Sequence, residues 1–77
     1  NEHNEVLNEL LHALVQVNDS KEAKDEIVGA VEEMRDTQGS VDFKENYNKF
    51  MSVLSDHFQV YGPVVAPFLP ALAAIVP

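Results

Sequence analysis

Apolar residues recur at helical spacing in three successive stretches, and this pattern constrains the fold more than any other feature of the chain. Leu7, Leu10, Leu11 and Leu14 follow i, i+3, i+4, i+7 and share one face of a helix. Glu5, Glu9, His12 and Gln16 take the opposite face. Ala23, Ile27, Ala30, Val31 and Met34 form a second stripe. Phe43, Tyr47, Phe50, Met51, Leu54, Phe58 and Tyr61 form a third, the strongest because it gathers most of the aromatic residues. A one-sided helix must bury its stripe against another element, so three of them in a row predict mutual packing.

Local signals set the boundaries. The first helix is expected over about residues 2–17, with Glu2, Glu5 and Glu9 suited to the positive end of its dipole. Asn18-Asp19-Ser20 breaks the pattern, and Asp19 with Glu22 has capping-box spacing for a second helix over about 20–36. Lys21 with Asp25, and Glu32 with Arg35, are spaced to pair on its surface. Gly29 lies in the middle of that helix, where a close helix contact would account for it. Thr37-Gln38-Gly39-Ser40 reads as a stop, with Gly39 suited to a left-handed cap. Asp42 with Glu45 repeats the capping-box spacing for a third helix over about 42–61, with Val41 placed to staple its first turn. Gly62-Pro63 is read as its end.

The expected architecture is all-α: a small antiparallel up-down-up three-helix bundle with a Pro-rich apolar C-terminal segment ending in a short fourth helix. The division falls between an acidic amphipathic unit, residues 1–61, and an apolar tail, residues 62–77. Pro63, Pro67, Pro70 and Pro77 punctuate the tail. A straight helix through Pro67 and Pro70 would lose backbone bonds, so an extended or turn conformation is expected from Pro63 to Pro67. A short helix over about 68–76 would follow, with Pro70 in its first turn.

Charge and composition narrow the function. Thirteen Asp and Glu against five Lys and Arg give a net charge of −8 in 77 residues. That charge disfavours nucleic acid and anionic membrane surfaces as partners. There is no Cys, which rules out disulfides, thiolate metal sites and thiol nucleophiles. So small a domain needs a partner, self-association or well-packed helices to be stable. Both ends read as cut, which suggests a piece of a larger protein or a processed form. The first residues show no basic stretch followed by an apolar run. No compartment is specified, and the cytoplasm is the default expectation.

Candidate chemistry is sparse. Glu9 and His12 match one half of the Glu-x-x-His pattern of carboxylate-bridged metal bundles. They point away from the Leu stripe and no second motif exists, so a solvated helix face is expected and no metal or cofactor. Ser55, Asp56 and His57 have the letters of a hydrolytic triad, but adjacent helical residues diverge by about 100° and cannot form one. His57 falls at the edge of the aromatic stripe, where a hydrogen-bonded core-edge histidine or a pH-responsive contact is expected. The three glycines are isolated, which leaves no phosphate-binding loop. No catalytic residue is expected.

The tail remains as the informative element. The expectation is a non-enzymatic protein–protein interaction or oligomerisation module, with Val64, Val65, Phe68, Leu69, Leu72 and Ile75 contacting a protein partner. That partner would be a second copy or the rest of a parent chain. The alternative is a membrane-active segment of a pore-forming or membrane-docked helical protein, because the uncharged stretch approaches spanning length. Four prolines and the lack of flanking basic residues weigh against that alternative.

Overall fold

A computed structural model describes residues 2–76 of the chain, with side chains from Glu5 onward. Pro77, counted above as the end of the tail, lies outside the described residues, as does the Glu2 side chain. Helix α1 spans Glu2–Val15, α2 Lys21–Asp36 and α3 Asp42–Asp56. Helix α4 spans Phe58–Val65, and a single turn of 3-10 helix over Ala66–Phe68 joins it to α5, Leu69–Ile75. Among the described residues there are no strands.

Polar contacts between helices fix their directions. Lys24 Nζ donates to the Val15 carbonyl, and Arg35 Nη1 donates to Asn8 Oδ1, so α2 runs back along α1. Asn46 Nδ2 and Lys49 Nζ both reach Glu33, while His57 reaches Glu26 near the other end, so α3 runs back along α2. Helices α1 and α3 flank α2 and scarcely touch each other. The tail fills the space between them: α4 packs on both α1 and α3, and α5 packs on α1. The result is a small helical bundle whose fourth wall is the tail.

The core follows from the stripes. Leu7, Leu10 and Leu14 of α1 meet Ile27, Val31 and Met34 of α2 and Phe43, Phe50 and Leu54 of α3, all buried. Tyr61, Val65 and Leu72 complete the cluster from the tail, each with no exposed surface. Tyr47 and Met51 are half-buried at its edge.

Several local expectations are corrected. Helix α1 ends at Val15, two residues early, and Ser20 rather than Asp19 caps α2: its Oγ accepts from the Ala23 amide at 3.2 Å. The Lys21–Asp25 pair forms at 2.7 Å, but Arg35 turns to Asn8 instead of Glu32. A Cβ at Gly29 would meet nothing within 4 Å, so no close helix contact accounts for that glycine. Gly39 does take the left-handed conformation, with φ +86°. Ser40 Oγ accepts from the Asp42 amide in place of the expected capping box, and Val41 is 89% exposed and staples nothing.

The largest correction concerns the tail. Helix α3 stops at Asp56, five residues short of Tyr61, and Gly62-Pro63 lie inside α4. No extended stretch separates Pro63 from Pro67; the backbone stays helical from Phe58 to Ile75 apart from tightening over Ala66–Phe68. The physical reason is the spacing of the prolines. Pro63, Pro67 and Pro70 stand at i, i+4, i+7, so they share one face, and all three are exposed. A proline in a helix frees the carbonyl four residues earlier. For Pro63 that carbonyl belongs to Gln59, also exposed, where water can satisfy it. Pro67 and Pro70 fall in first turns, where the missing N–H has no helical partner in any case. Tyr61, Val65, Phe68 and Leu72 stand at the same i, i+4, i+7, i+11 spacing on the inner face.

Replacing Leu72 by Ala should therefore destabilise the fold by about 2–4 kcal/mol, as for any fully buried Leu. Val60→Ala, on the exposed side, should change it by less than about 0.5 kcal/mol. Urea denaturation followed by circular dichroism measures both. Equal, small effects would mean that the tail is not part of the core.

Candidate interaction surface

The tail presents two faces, and the expected contact residues divide between them. Val65 and Leu72 are fully buried inside the chain. Val64, Phe68, Leu69 and Ile75 are half-buried and pack against the core from its rim. The surface left to solvent is formed instead by residues outside the expected contact set. Phe58 is 60% exposed and Val60 44%. Pro63, Ala66, Pro67, Pro70, Ala73 and Ala74 continue the exposed face to the end of α5. No charged residue interrupts it. The helical spacing of the three prolines was the available signal, because a residue lacking its backbone N–H frees a carbonyl that water satisfies best on the solvent side.

Taken together, Phe58–Ile75 is an 18-residue helical run with a mean hydropathy of 1.5, and only 22% of it is buried. An uncharged strip of this length on a chain of net charge −8 is a strong asymmetry. Single exposed apolar residues are ordinary; a contiguous apolar strip marks a contact surface. Beside it, Phe68 and the α1 residues Asn8, Glu9, His12, Ala13 and Gln16 line a shallow groove of ≈ 490 Å³. Gln16 Nε2 lies 2.7 Å from His12 Nε2 on its wall.

The corner where α3 turns into α4 ties the tail down. His57 caps α3, and its Nε2 lies 2.7 Å from Glu26 Oε1 of α2. A carboxylate only accepts, so the imidazole N–H is the donor. Tyr61 stands edge-on to the His57 ring, with centroids 6.3 Å apart and planes at 84°. This pairing is favourable because the positive edge of one ring meets the negative face of the other. The Tyr61 hydroxyl is buried and has no hydrogen-bond partner. Burial raises its pKa above the usual phenol value, and Asp19 adds to the effect through its negative charge and a polar contact with the hydroxyl that falls short of hydrogen-bond geometry.

An open cleft of ≈ 460 Å³ lies over this corner, lined by Asp19, Ser20, Ser55, Asp56, His57 and Phe58 among others. It contains the three letters of the apparent triad without its geometry. Ser55 and Asp56 are exposed, and the His57 ring is engaged by Glu26 from another helix. Glu9 and His12 lie exposed on α1, and among the described residues no group of three or more His, Asp or Glu is arranged to hold a metal ion. Comparison with protein family models, curated proteins and solved structures returned no match.

No hydrogen bond of good geometry holds the hydroxyl, so Tyr61→Phe tests the corner. Removing a buried polar group that makes no hydrogen bond should leave stability unchanged or raise it by up to about 1 kcal/mol. The raised phenol pKa also fixes a sign. The folded chain holds the Tyr61 proton more tightly than the unfolded chain, so its contribution is present below pH 10.0 and is lost as pH rises through the folded value. Denaturation midpoints should fall above about pH 10, and fall less in Tyr61→Phe. Identical alkaline profiles for the two proteins would contradict this environment for the phenol.

Proposed function

We propose that this chain is a non-enzymatic helical interaction module, with the outer face of α4–α5 as its contact surface. One observation carries the reading: an 18-residue charge-free helical run has only 22% of its residues buried and half of them exposed, on an otherwise acidic bundle. The driving force would be apolar burial, about 25 cal/mol per Å² before the costs of ordering and lost rotational freedom. Phe58 is the natural anchor, as large aromatic side chains dominate contact energies. The three acidic helices behind the strip would keep the molecule soluble and turn other faces away from one another. This shifts the expected contact set outward. Val65 and Leu72 hold the strip in place from below, while Phe58, Val60 and the proline face meet the partner. The partner would be a protein surface of matching apolarity.

A membrane-docked reading draws on the same run, which is long and apolar enough to cross a bilayer by length and composition. Its exposed prolines weigh against that reading, because the carbonyls they free would have no water partner in lipid. The chain offers no flanking Lys or Arg in α4 or α5 to anchor the headgroups, which favours the protein-contact reading.

Light scattering at two protein concentrations in detergent-free buffer tests the module directly. The mass should rise above that of a single 8.6 kDa chain at the higher concentration. Val60→Glu combined with Ala73→Glu, both exposed, should abolish the rise and leave the helical circular dichroism intact. A single-chain mass at both concentrations, or a rise that survives both charges, would contradict it. Flotation with phosphatidylcholine vesicles would reveal the membrane reading instead.

A further inference from the structure

We propose that the cleft between the α1–α2 connection and the α3–α4 corner binds a compact organic ammonium, either a free amine or the side chain of a lysine. The inference is separate from the contact-surface reading. The cleft would hold a small group within one chain, and it meets the strip only at Phe58, Gln59 and Val60. Its charge comes from two elements. Asp19, half-buried, enters from the connection before α2, and Asp56 from the last position of α3. Among the described residues neither carboxylate has an ion-pair partner. The groups close in sequence that could neutralise them are committed elsewhere. Lys21 pairs with Asp25 at 2.7 Å, Lys24 donates to the Val15 carbonyl at 3.1 Å, and His57 lies 2.7 Å from Glu26. The last of these contacts ties the α3–α4 corner to α2, so the two walls are held together in advance of binding.

A second observation lies behind the Asp19 wall. The Tyr61 side chain is fully buried, its hydroxyl makes no hydrogen bond, and that hydroxyl is directed at Asp19. Buried polar groups are nearly always satisfied, so an orphan of this kind calls for a partner. A phenol has one proton to give and two lone pairs that accept. With its proton turned to Asp19, it keeps acceptor capacity at the same wall. Asp19 and Asp56 are acceptors as well, and the Ser20 Oγ already accepts from the Ala23 amide. The surplus around the cleft is therefore of acceptors and of negative charge, and the matching ligand is a cationic donor.

The kind of cation follows from the rest of the lining. Among the described residues no three His, Asp or Glu side chains are arranged to hold a metal ion. An ammonium presents three donors and no acceptor, which suits two carboxylates and the Ser55 hydroxyl. Phe58, 60% exposed, offers an aromatic face, and such faces attract cations. Ala23 and Val60 give an apolar body a place to lie. The volume of ≈ 460 Å³ falls within the range of small-molecule sites, about 300–1,000 Å³. The negative end of α3 adds to the attraction at Asp56, while Asp19 and Ser20 offset the positive end of α2. The cleft is open to water, so binding would be weak and would fall as salt is added.

Titration at neutral pH and low protein concentration, followed by amide chemical shifts, tests the site. The probes are benzylammonium for a free amine and N-acetyl-lysine methylamide for a lysine side chain, with benzyl alcohol as the uncharged control. An ammonium probe should shift the Ser20, His57 and Phe58 amides saturably. Asp19→Asn and Asp56→Asn should each weaken that binding about tenfold, as the loss of a charge-assisted hydrogen bond does. Asp36→Asn, at the far end of α2, should leave it unchanged. Circular dichroism checks that each variant keeps its helices. Binding of the capped lysine supports the site and assigns it to a lysine side chain; binding of benzylammonium alone supports it and assigns a free amine. Equal losses from all three substitutions would show diffuse attraction to an acidic chain and overturn the proposal. Benzyl alcohol bound as tightly as the ammonium probes, or no saturable shift from either of them, would overturn it as well. None of these results bears on the module reading, which stands or falls on the mass of the chain.

Discussion

The structure depends on one gap and what fills it. Helices α1 and α3 both pack on α2 and scarcely meet each other, so their stripes leave an open apolar trough. Tyr61, Val65 and Leu72 close that trough, and each is fully buried. Without them Leu7, Leu10, Phe50 and Leu54 would face water on one side. A chain this short has little surface to bury and no disulfide to add, so the fourth wall matters more here than in a larger domain. Among the described residues, no side chain from Phe58 onward makes a hydrogen bond or ion pair. The tail is held by apolar burial, with the His57–Glu26 contact securing its base.

The prolines explain how such a wall can be one-sided. Each proline removes a backbone donor, and a buried unsatisfied carbonyl would be costly. Pro63, Pro67 and Pro70 all stand on the solvent side, where water replaces the missing bonds. The inner face keeps its valine, leucine and aromatic packing undisturbed. The same arrangement leaves the outer face helical and uncharged, which links the packing of the tail to its proposed role as a contact surface.

The three acidic helices were legible in the sequence because each carries a long one-sided stripe, and periodicity is a dependable signal over such lengths. Their ends were less legible. Ser20 and Asp19 both offer capping oxygens, and Ser20 is the one that takes the extended N-cap conformation and accepts from Ala23. The tail was misread for a specific reason: Gly62-Pro63 has the chemistry of a helix stop, and the local signal outweighed a tertiary demand. The trough between α1 and α3 rewards a helix there, and that trough is not visible in any one segment. Phe58 shows the same limit. It continues the aromatic stripe of α3 by spacing, but the break at His57 turns it outward to 60% exposure, with its ring over Gly62. Of the contact residues first expected from hydrophobicity, Val65 and Leu72 are buried within the chain, and the proline spacing marks the side that stays exposed.

The claim that the tail is the folded fourth wall of its own bundle is tested most directly by amide hydrogen exchange, resolved by residue and at low concentration. Amides of Tyr61, Val64, Val65 and Leu72 should be protected, and protection should be lost together with that of α1 and α3 as urea is added. Exchange of those amides at unstructured rates, with α1–α3 still protected, would contradict it: the three helices would then stand without the tail, and its burial would not be what holds the structure together.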